Sequence, residues 1–508
     1  MKFKFKKLNL FFALIILMGV FILVKNKSKE KAYEINYNYQ VGLQEESNIK
    51  GEKTKEILEM TKINLNNLEK NFFTTKTDPD HQWFSVAKEG YNGQFYARDT
   101  FVSFLGGVYG GEYMRGKLAY TIDWFSQYMD KDGYLPIWFS QSEDDLNIYW
   151  YCPYNRDAAN GGIKQYDHLM QYTDAIWQIY SWEGDKNWLK EKLPFARKAW
   201  KWLAGQTDKN HLIKSTINEY CGADWADQIR RGGYSTFVEV YWYKTTLDLA
   251  YMERATGNIF GYFYYFNYAR NIKNEINQKL WKVSRPIVYD GEPFGHYVGW
   301  IDEKGVKDYF EVDSNAFAVG VGIAKEKQAQ EIMKFINSNF DHFVNKKGAA
   351  RVLYGNYGEE ATAMAKNVSQ NGSYWYLTNY FLAMAYHKMK MPEQLNVLLE
   401  RVKQTTIDSQ EEGLAEWYYE DGKVGGAKNY SWSLAYPLFL FYGEILGIKP
   451  LPNSLIIEPC ISQKIGEVQT TFKYQGKIIT VSLTPTCNKS LEIINKEIKD
   501  GMLIRWKN

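Results

Sequence analysis

Two stretches of this chain, far apart in it, set a carboxylate in an aromatic frame. The first, NEYCGADWADQIRRGGYSTF from Asn218, holds Glu219, Asp224 and Asp227 around Trp225. An acid lodged against an indole loses part of its water, which raises its pKa and can keep it protonated near neutrality. Those are the requirements of a general acid, and Asp227 is the first candidate. Asp224 is its rival, and either could instead cap a helix or bind a turn. The second stretch, EEGLAEWYYEDG, supplies Glu416 between Ala415 and Trp417, apart from the solvated pairs Glu411–Glu412 and Glu420–Asp421. One carboxyl that donates a proton to a leaving oxygen and one that activates water or attacks carbon are what cleavage of a glycosidic bond needs.

Other residues could hold a sugar beside such a pair. Arg98 and Asp99, in YNGQFYARDTFVSFLGG, open a helical pattern. An Asp there is commonly just a cap, but at a pocket rim the Asp can accept from sugar hydroxyls and the Arg donate to them. Trp138, Trp150, Trp225, Trp375 and Trp417 offer flat faces for stacking. The histidines are scattered with no HExxH spacing, so neither a metal nor any other cofactor is expected. Net charge is +3 and no basic stripe occurs, which argues against nucleic acid as a partner.

The elements that must position these residues are helical. Apolar residues recur at i, i+3, i+4 and i+7 over 52–72, 98–109, 112–129, 166–183, 186–205, 235–256, 259–280, 313–324, 326–338, 374–388, 391–405 and 430–446. The connections alternate in length. Short ones fall near Gly110, Gly184, Gly257, Lys325 and Met389; long ones span 73–97, 130–165, 206–234, 281–312, 339–373 and 406–429. A short connection makes antiparallel neighbours of two helices. All the long loops then emerge on one rim, and loops of that length are usually functional. The expected fold is all-α: an (α/α)6 toroid of about twelve helices over 51–449. From about Pro450 period-two segments, SLIIEPCI, GEVQTTFKYQ and KIITVSLTP, announce a small β segment over 450–508.

At the N-terminus, Lys2, Lys4, Lys6 and Lys7 precede an apolar run from about Leu8 to Val24. Residues 1–30 therefore read as a signal sequence or, with no Ala-x-Ala site after them, an uncleaved membrane anchor; 31–50 read as a linker. The remainder is expected outside the membrane as an exported, cell-surface or secreted protein. Export permits disulfides. Cys460–Cys487 is the expected pair because both lie in one short terminal segment, with free buried thiols as the alternative.

The ordered motifs resemble the six-hairpin glycosidases, the (α/α)6 group of glucoamylases, trehalases, processing α-glucosidases, glycogen-debranching amylo-α-1,6-glucosidases, α-L-rhamnosidases and disaccharide phosphorylases. The resemblance covers roughly 50–450. YARDTFVSFLGG is similar to the Arg-Asp-Thr segment of debranching enzymes, whose Asp lines the sugar subsite, which implies Asp99. CGADWAD resembles their Cys-Gly-x-Trp-Met-Asp, whose last Asp is the general acid, implying Asp227; the extra residue here keeps Asp224 in play. LAEWYYEDG resembles the Glu-x-Tyr of trehalases, implying Glu416 as base. DSNAFAV and QNGSYWYL are also family-like. The resemblance implies an inverting glycosidase acting on a terminal, first of all α-glucosidic, residue of an oligo- or polysaccharide. A phosphorylase, an α-L-rhamnosidase, a polysaccharide lyase and a non-catalytic glycan binder are the alternatives.

Overall fold

The computed structural model describes residues 33–36, 52–73, 83–87, 91, 94–141, 146–151, 164–216 and 222–506. Residues 1–30, Cys152, Glu219 and Cys221 lie outside these. Among the described residues no helix is long and apolar enough to cross a membrane.

The helices fall where apolar recurrence places them. They are α1 (Glu52–Glu69), α2 (Ala97–Gly107), α3 (Gly111–Gln127), α4 (Asp167–Glu183), α5 (Lys186–Ala204) and α6 (Thr236–Ala255), then α7 (Ile259–Lys279), α8 (Val312–Gly320), α9 (Glu326–Ser338), α10 (Tyr376–Lys388), α11 (Pro392–Ser409) and α12 (Ser431–Leu438). α12 runs on as a π-helical stretch, Phe439–Ile445. A one-turn helix, Phe340–Phe343, is extra. α2, α4, α6, α8, α10 and α12 pack in that cyclic order, and α12 meets α2 to close the ring. These inner helices are apolar nearly all round: every residue of α2 is buried. A helix hydrophobic on all sides belongs inside. Outer helices such as α5 and α9 bury a single stripe.

Each inner helix begins at the rim, so the carboxylates Asp99, Asp167 and Asp313 sit in first turns. There the helix dipole favours negative charge. The starts are stitched to neighbouring loops by backbone bonds: Ala97 N–H donates to Ile137 O (2.9 Å), Thr236 to Gly299 O (2.9 Å), Val312 to Val352 O (2.7 Å) and Ser431 to Val86 O (2.8 Å).

The expectation of an all-α domain needs correction at these loops, which carry small antiparallel sheets. Gln94–Tyr96, Trp138–Gln141 and Leu146–Tyr149 form one. Tyr234–Ser235, Trp300–Asp302 and Gly305–Lys307 form a second, and Ala350–Arg351, Tyr374–Trp375 and Trp417–Tyr418 a third. Strands of two to four residues show no readable period-two alternation, which is why the sequence pattern misses them.

The C-terminal β segment folds onto the end of the toroid where the short connections lie: Gln475 N–H donates to Trp182 O (2.9 Å), beside Gly184. Its strands Val468–Tyr474, Lys477–Leu483 and Met502–Trp506 form a sheet, with Lys477–Leu483 parallel to Met502–Trp506. Within the stretch read as linker, Tyr33–Asn36 adds an antiparallel edge strand to that sheet. Ile448–Leu451, Ser454–Ile457 and Leu491–Ile494 form the other sheet. Cys460 and Cys487 are disulfide-bonded, as their spacing led us to expect.

Candidate active site

Asp227 and Glu416, which lie on the third and sixth long loops, meet at the rim beside Asp99. Their charges reach one another: Asp99 and Asp227 raise the pKa of Glu416, and Asp227 raises that of Asp99. The alternation of connection lengths implied this convergence.

The Asp227 side chain is 17% exposed, enough to meet a ligand. Burial pushes its carboxyl up, while the Arg98 guanidinium and a hydrogen bond from Gln370 pull it down. Arg98 Nη1 stands 3.6 Å from Asp227 Oδ2, and Gln370 Nε2 donates to Asp227 Oδ1 at 3.1 Å. Gln370 also donates to Trp225 O (3.0 Å) and accepts from Gln228 N–H (3.1 Å), so one amide clamps the loop on both sides of the acid.

Arg98, expected to donate to sugar hydroxyls, spends its Nε and Nη2 within the protein. Its Nε donates to Asp167 Oδ2 at 2.7 Å and its Nη2 to Gln165 Oε1 at 2.6 Å. Burial works against its charge, but Asp167, Asp227 and Asp99 outweigh that and raise its pKa. The guanidinium is thus a fixed cation aimed at Asp227. Asp99 accepts from the Tyr430 hydroxyl, and burial lifts its carboxyl to about 6 against the pull of Arg98.

Glu416 is held differently. Tyr91 OH donates to Oε1 at 3.2 Å and the Ala427 N–H to Oε2 at 3.3 Å. A Cβ at Gly426 would come within 2.6 Å of Oε2, so only glycine lets the backbone turn this closely over the carboxylate. Burial first, then the Asp99 charge, pushes Glu416 up to about 8, offset in part by its two donors. One fixed cation faces several buried carboxyls, so ionising one raises the cost of ionising the next.

Asp224 has another setting. It is fully buried and accepts from Ala226 N–H (2.9 Å), Arg231 Nη1 (3.2 Å) and Ser235 Oγ (3.3 Å). Arg231 also donates from Nε to Glu311 Oε1 (2.9 Å) and from Nη2 to Asp313 Oδ2 (3.2 Å) and Tyr357 OH (3.1 Å). Trp225 Nε1 donates to Asp313 Oδ2 at 2.8 Å. This buried ion cluster ties the acid loop to the start of α8 and to the fifth long loop. Replacing Arg231 with Met leaves three buried carboxylates without their cation. Such a loss costs on the order of 3–5 kcal/mol, so the Arg231→Met midpoint in chemical denaturation is expected well below that of the parent, with Arg231→Lys between them.

The tryptophans divide. Trp225 and Trp375 are fully buried, pack edge to face at 5.4 Å, and spend their N–H groups on Asp313 and Ser369 O. They are walls behind the acid, a correction to their expected role as stacking faces, because the rim sheets close over them. Trp417 is also buried and stacks on Trp375. Trp138 lies between Tyr149 (3.7 Å) and Tyr96 (5.3 Å) in one aromatic stack. Trp150 is half-buried at the same sheet. Tyr149, at the exposed end of the stack, is a face that sequence reasoning passed over. It also missed Asp167, Gln165, Tyr91 and Tyr430. Only Gln370 carried a signal, through its place in QNGSYWYL.

No protein-family model matches the chain, and no curated protein is similar to it in sequence. Solved structures are similar to it in fold. A sialidase superposes with a TM-score of 0.61 at 12% identity, over 89% of this chain and 40% of that one. A GH78 family rhamnosidase of a Bacillus species superposes with a TM-score of 0.54 at 12% identity, over 90% and 42%. A GH63 mannosylglycerate hydrolase from Thermus thermophilus, in complex with glucose, gives a TM-score of 0.52 at 13% identity, over 75% of this chain and all of that one. The chain spans about two fifths of the length of the sialidase and the rhamnosidase. At these identities the likeness is one of fold, the closed ring of inner and outer helices described above.

Proposed function

We propose that the protein is an inverting glycoside hydrolase that removes a terminal sugar, with an α-glucosidic bond the first choice of substrate. Asp227 protonates the leaving oxygen, and Glu416 activates a water on the opposite face of the sugar ring. Asp99 accepts from the sugar's hydroxyls. Arg98 holds the acid in place and limits the charge of the cluster. The observation that carries the reading is the convergence of Asp227 and Glu416, from distant loops, on one rim with Asp99 and a fixed guanidinium. Asp224 is a poor alternative acid because its oxygens are enclosed by donors. The β sheets of the rim support the reading, since they give the catalytic loops rigid roots. Export fits it too, with residues 1–30 holding the enzyme at a membrane surface.

Reducing-sugar release from α-glucans, α-L-rhamnosides and host-type glycans tests this, with the anomer of the first product followed by NMR. Release of the inverted anomer is expected. Turnover that requires inorganic phosphate would make the protein a phosphorylase, ultraviolet-absorbing unsaturated products would make it a lyase, and binding without release would make it a glycan-binding protein.

A further inference from the structure

The catalytic reading leaves the opposite end of the toroid without a role, and that end carries an exposed aromatic tip. α6 and α7 form the longest hairpin, of 20 and 21 residues, while the neighbouring α8 has 9. Lys273 Nζ and Asn277 Nδ2 donate to Gly322 O and Ile323 O in the α8–α9 connection. From Lys273 back to its start at Ile259, α7 continues past that connection for roughly 20 Å at 1.5 Å per residue. The α6–α7 tip therefore projects beyond α8 on one side, while on the other it ends level with α4. On it Phe260 is 91% exposed, and Ile259, Phe263 and Tyr264 are at least half exposed. These four fall on one side of the helix by their spacing. Single exposed apolar residues are ordinary, whereas a contiguous projecting cluster marks an interaction surface.

Three observations say what covers it. The tip is at the same end as the C-terminal β segment: Trp177 of α4 stacks on Tyr251 of α6, so the two helices end level, and the C-terminal sheet bonds to Trp182 just past Trp177. Tyr33–Asn36 is the edge strand of that sheet. The apolar run Leu8–Val24 ends only nine residues earlier, a span of at most about 30 Å. Cations also accompany the aromatics. Arg254 lies over the Tyr262 ring, and exposed Lys186 and Lys190, interleaved with exposed Asp185 and Glu191, open the adjacent outer helix α5 at the same end. Aromatic and aliphatic side chains beside Lys and Arg are the composition of a bilayer interface contact.

We propose that the α6–α7 tip is a second membrane contact. Ile259, Phe260, Phe263 and Tyr264 enter the interfacial layer of a phospholipid bilayer, with Arg254, Lys186 and Lys190 toward the headgroups. One anchor point does not fix orientation; a second contact turns the catalytic rim away from the membrane, toward soluble glycan. This rests on the reading of residues 1–30 as an anchor.

The test uses the full chain reconstituted into phosphatidylcholine–phosphatidylglycerol vesicles, with photo-crosslinking benzoylphenylalanine replacing Phe260 in one preparation and Val424, on the sixth rim loop, in another. Both positions are exposed, so folding should survive either replacement. Lipid adducts several-fold more abundant at position 260 than at 424 are expected. Vesicle-bound protein with no lipid adduct at 260 would overturn the orientation and leave the anchor standing. Adducts at 260 to a second copy of the chain would overturn it in favour of self-association. Failure of the chain to float with vesicles would overturn both.

Discussion

Asp227→Asn is expected to lower kcat/KM on a natural disaccharide by about 10²–10⁴, the usual contribution of a positioned general acid. The loss should be far smaller on an activated aryl glycoside, whose leaving group departs with little protonation. The substitution is mild structurally. Asn can still accept from Gln370, and Arg98 keeps Asp167 and Gln165 as partners. A selective loss therefore reports proton donation rather than misfolding. Asp224→Asn is the control. It disturbs the cluster at Arg231 and should act through stability, measured as a lower denaturation midpoint. If Asp224→Asn abolishes turnover in fully folded protein while Asp227→Asn does not, the acid is Asp224.

Glu416→Gln should depress both substrate types by a similar order, about 10²–10⁴, because water must be activated in either case. Azide should restore turnover to Glu416→Ala with an activated donor, giving a glycosyl azide of inverted configuration. The pH dependence follows from the geometry. A base works as the carboxylate, and Glu416 is pushed up to about 8, so the acid limb of kcat/KM should extend to unusually high pH. After burial, the Asp99 charge is the largest cause of that rise. Asp99→Asn removes a neighbouring negative charge, eases ionisation of Glu416, and should move the acid limb to lower pH even as the absolute rate falls. An unmoved limb would mean that Glu416 is not the group titrating.

Helices were legible in the residues because their evidence is local. Apolar recurrence placed α1 to α12 within a few residues, and the alternation of short and long connections placed the loops of Asp227 and Glu416 on one rim. α8 shows the limit: its pattern extends to 324, but the helix ends at Gly320, where the chain turns under the side chains of Lys273 and Asn277. The period-two strands after Pro450 and the Cys460–Cys487 pair were legible for the same local reason. The choice of Asp227 and Glu416 came from their aromatic frames and from the resemblance, and it did not depend on seeing them meet.

Other features were decided only by the tertiary structure, because they are settled by partners distant in sequence. A tryptophan beside an acid looks the same whether it faces a pocket or a wall. Trp225 became a wall because Asp313, Trp375 and the rim sheets close on it. Arg98 reads in sequence only as a sugar ligand; that Asp167 and Gln165, some seventy residues on, take its Nε and Nη2 donors is visible only in the fold. The separation of Asp224 from Asp227 rests on Arg231, whose charge is needed where three buried carboxylates from two segments meet. Periodicity and spacing report which face of an element is apolar; they carry no information about which distant group will desolvate, neutralise or shield a charge, and those energies assign the roles here.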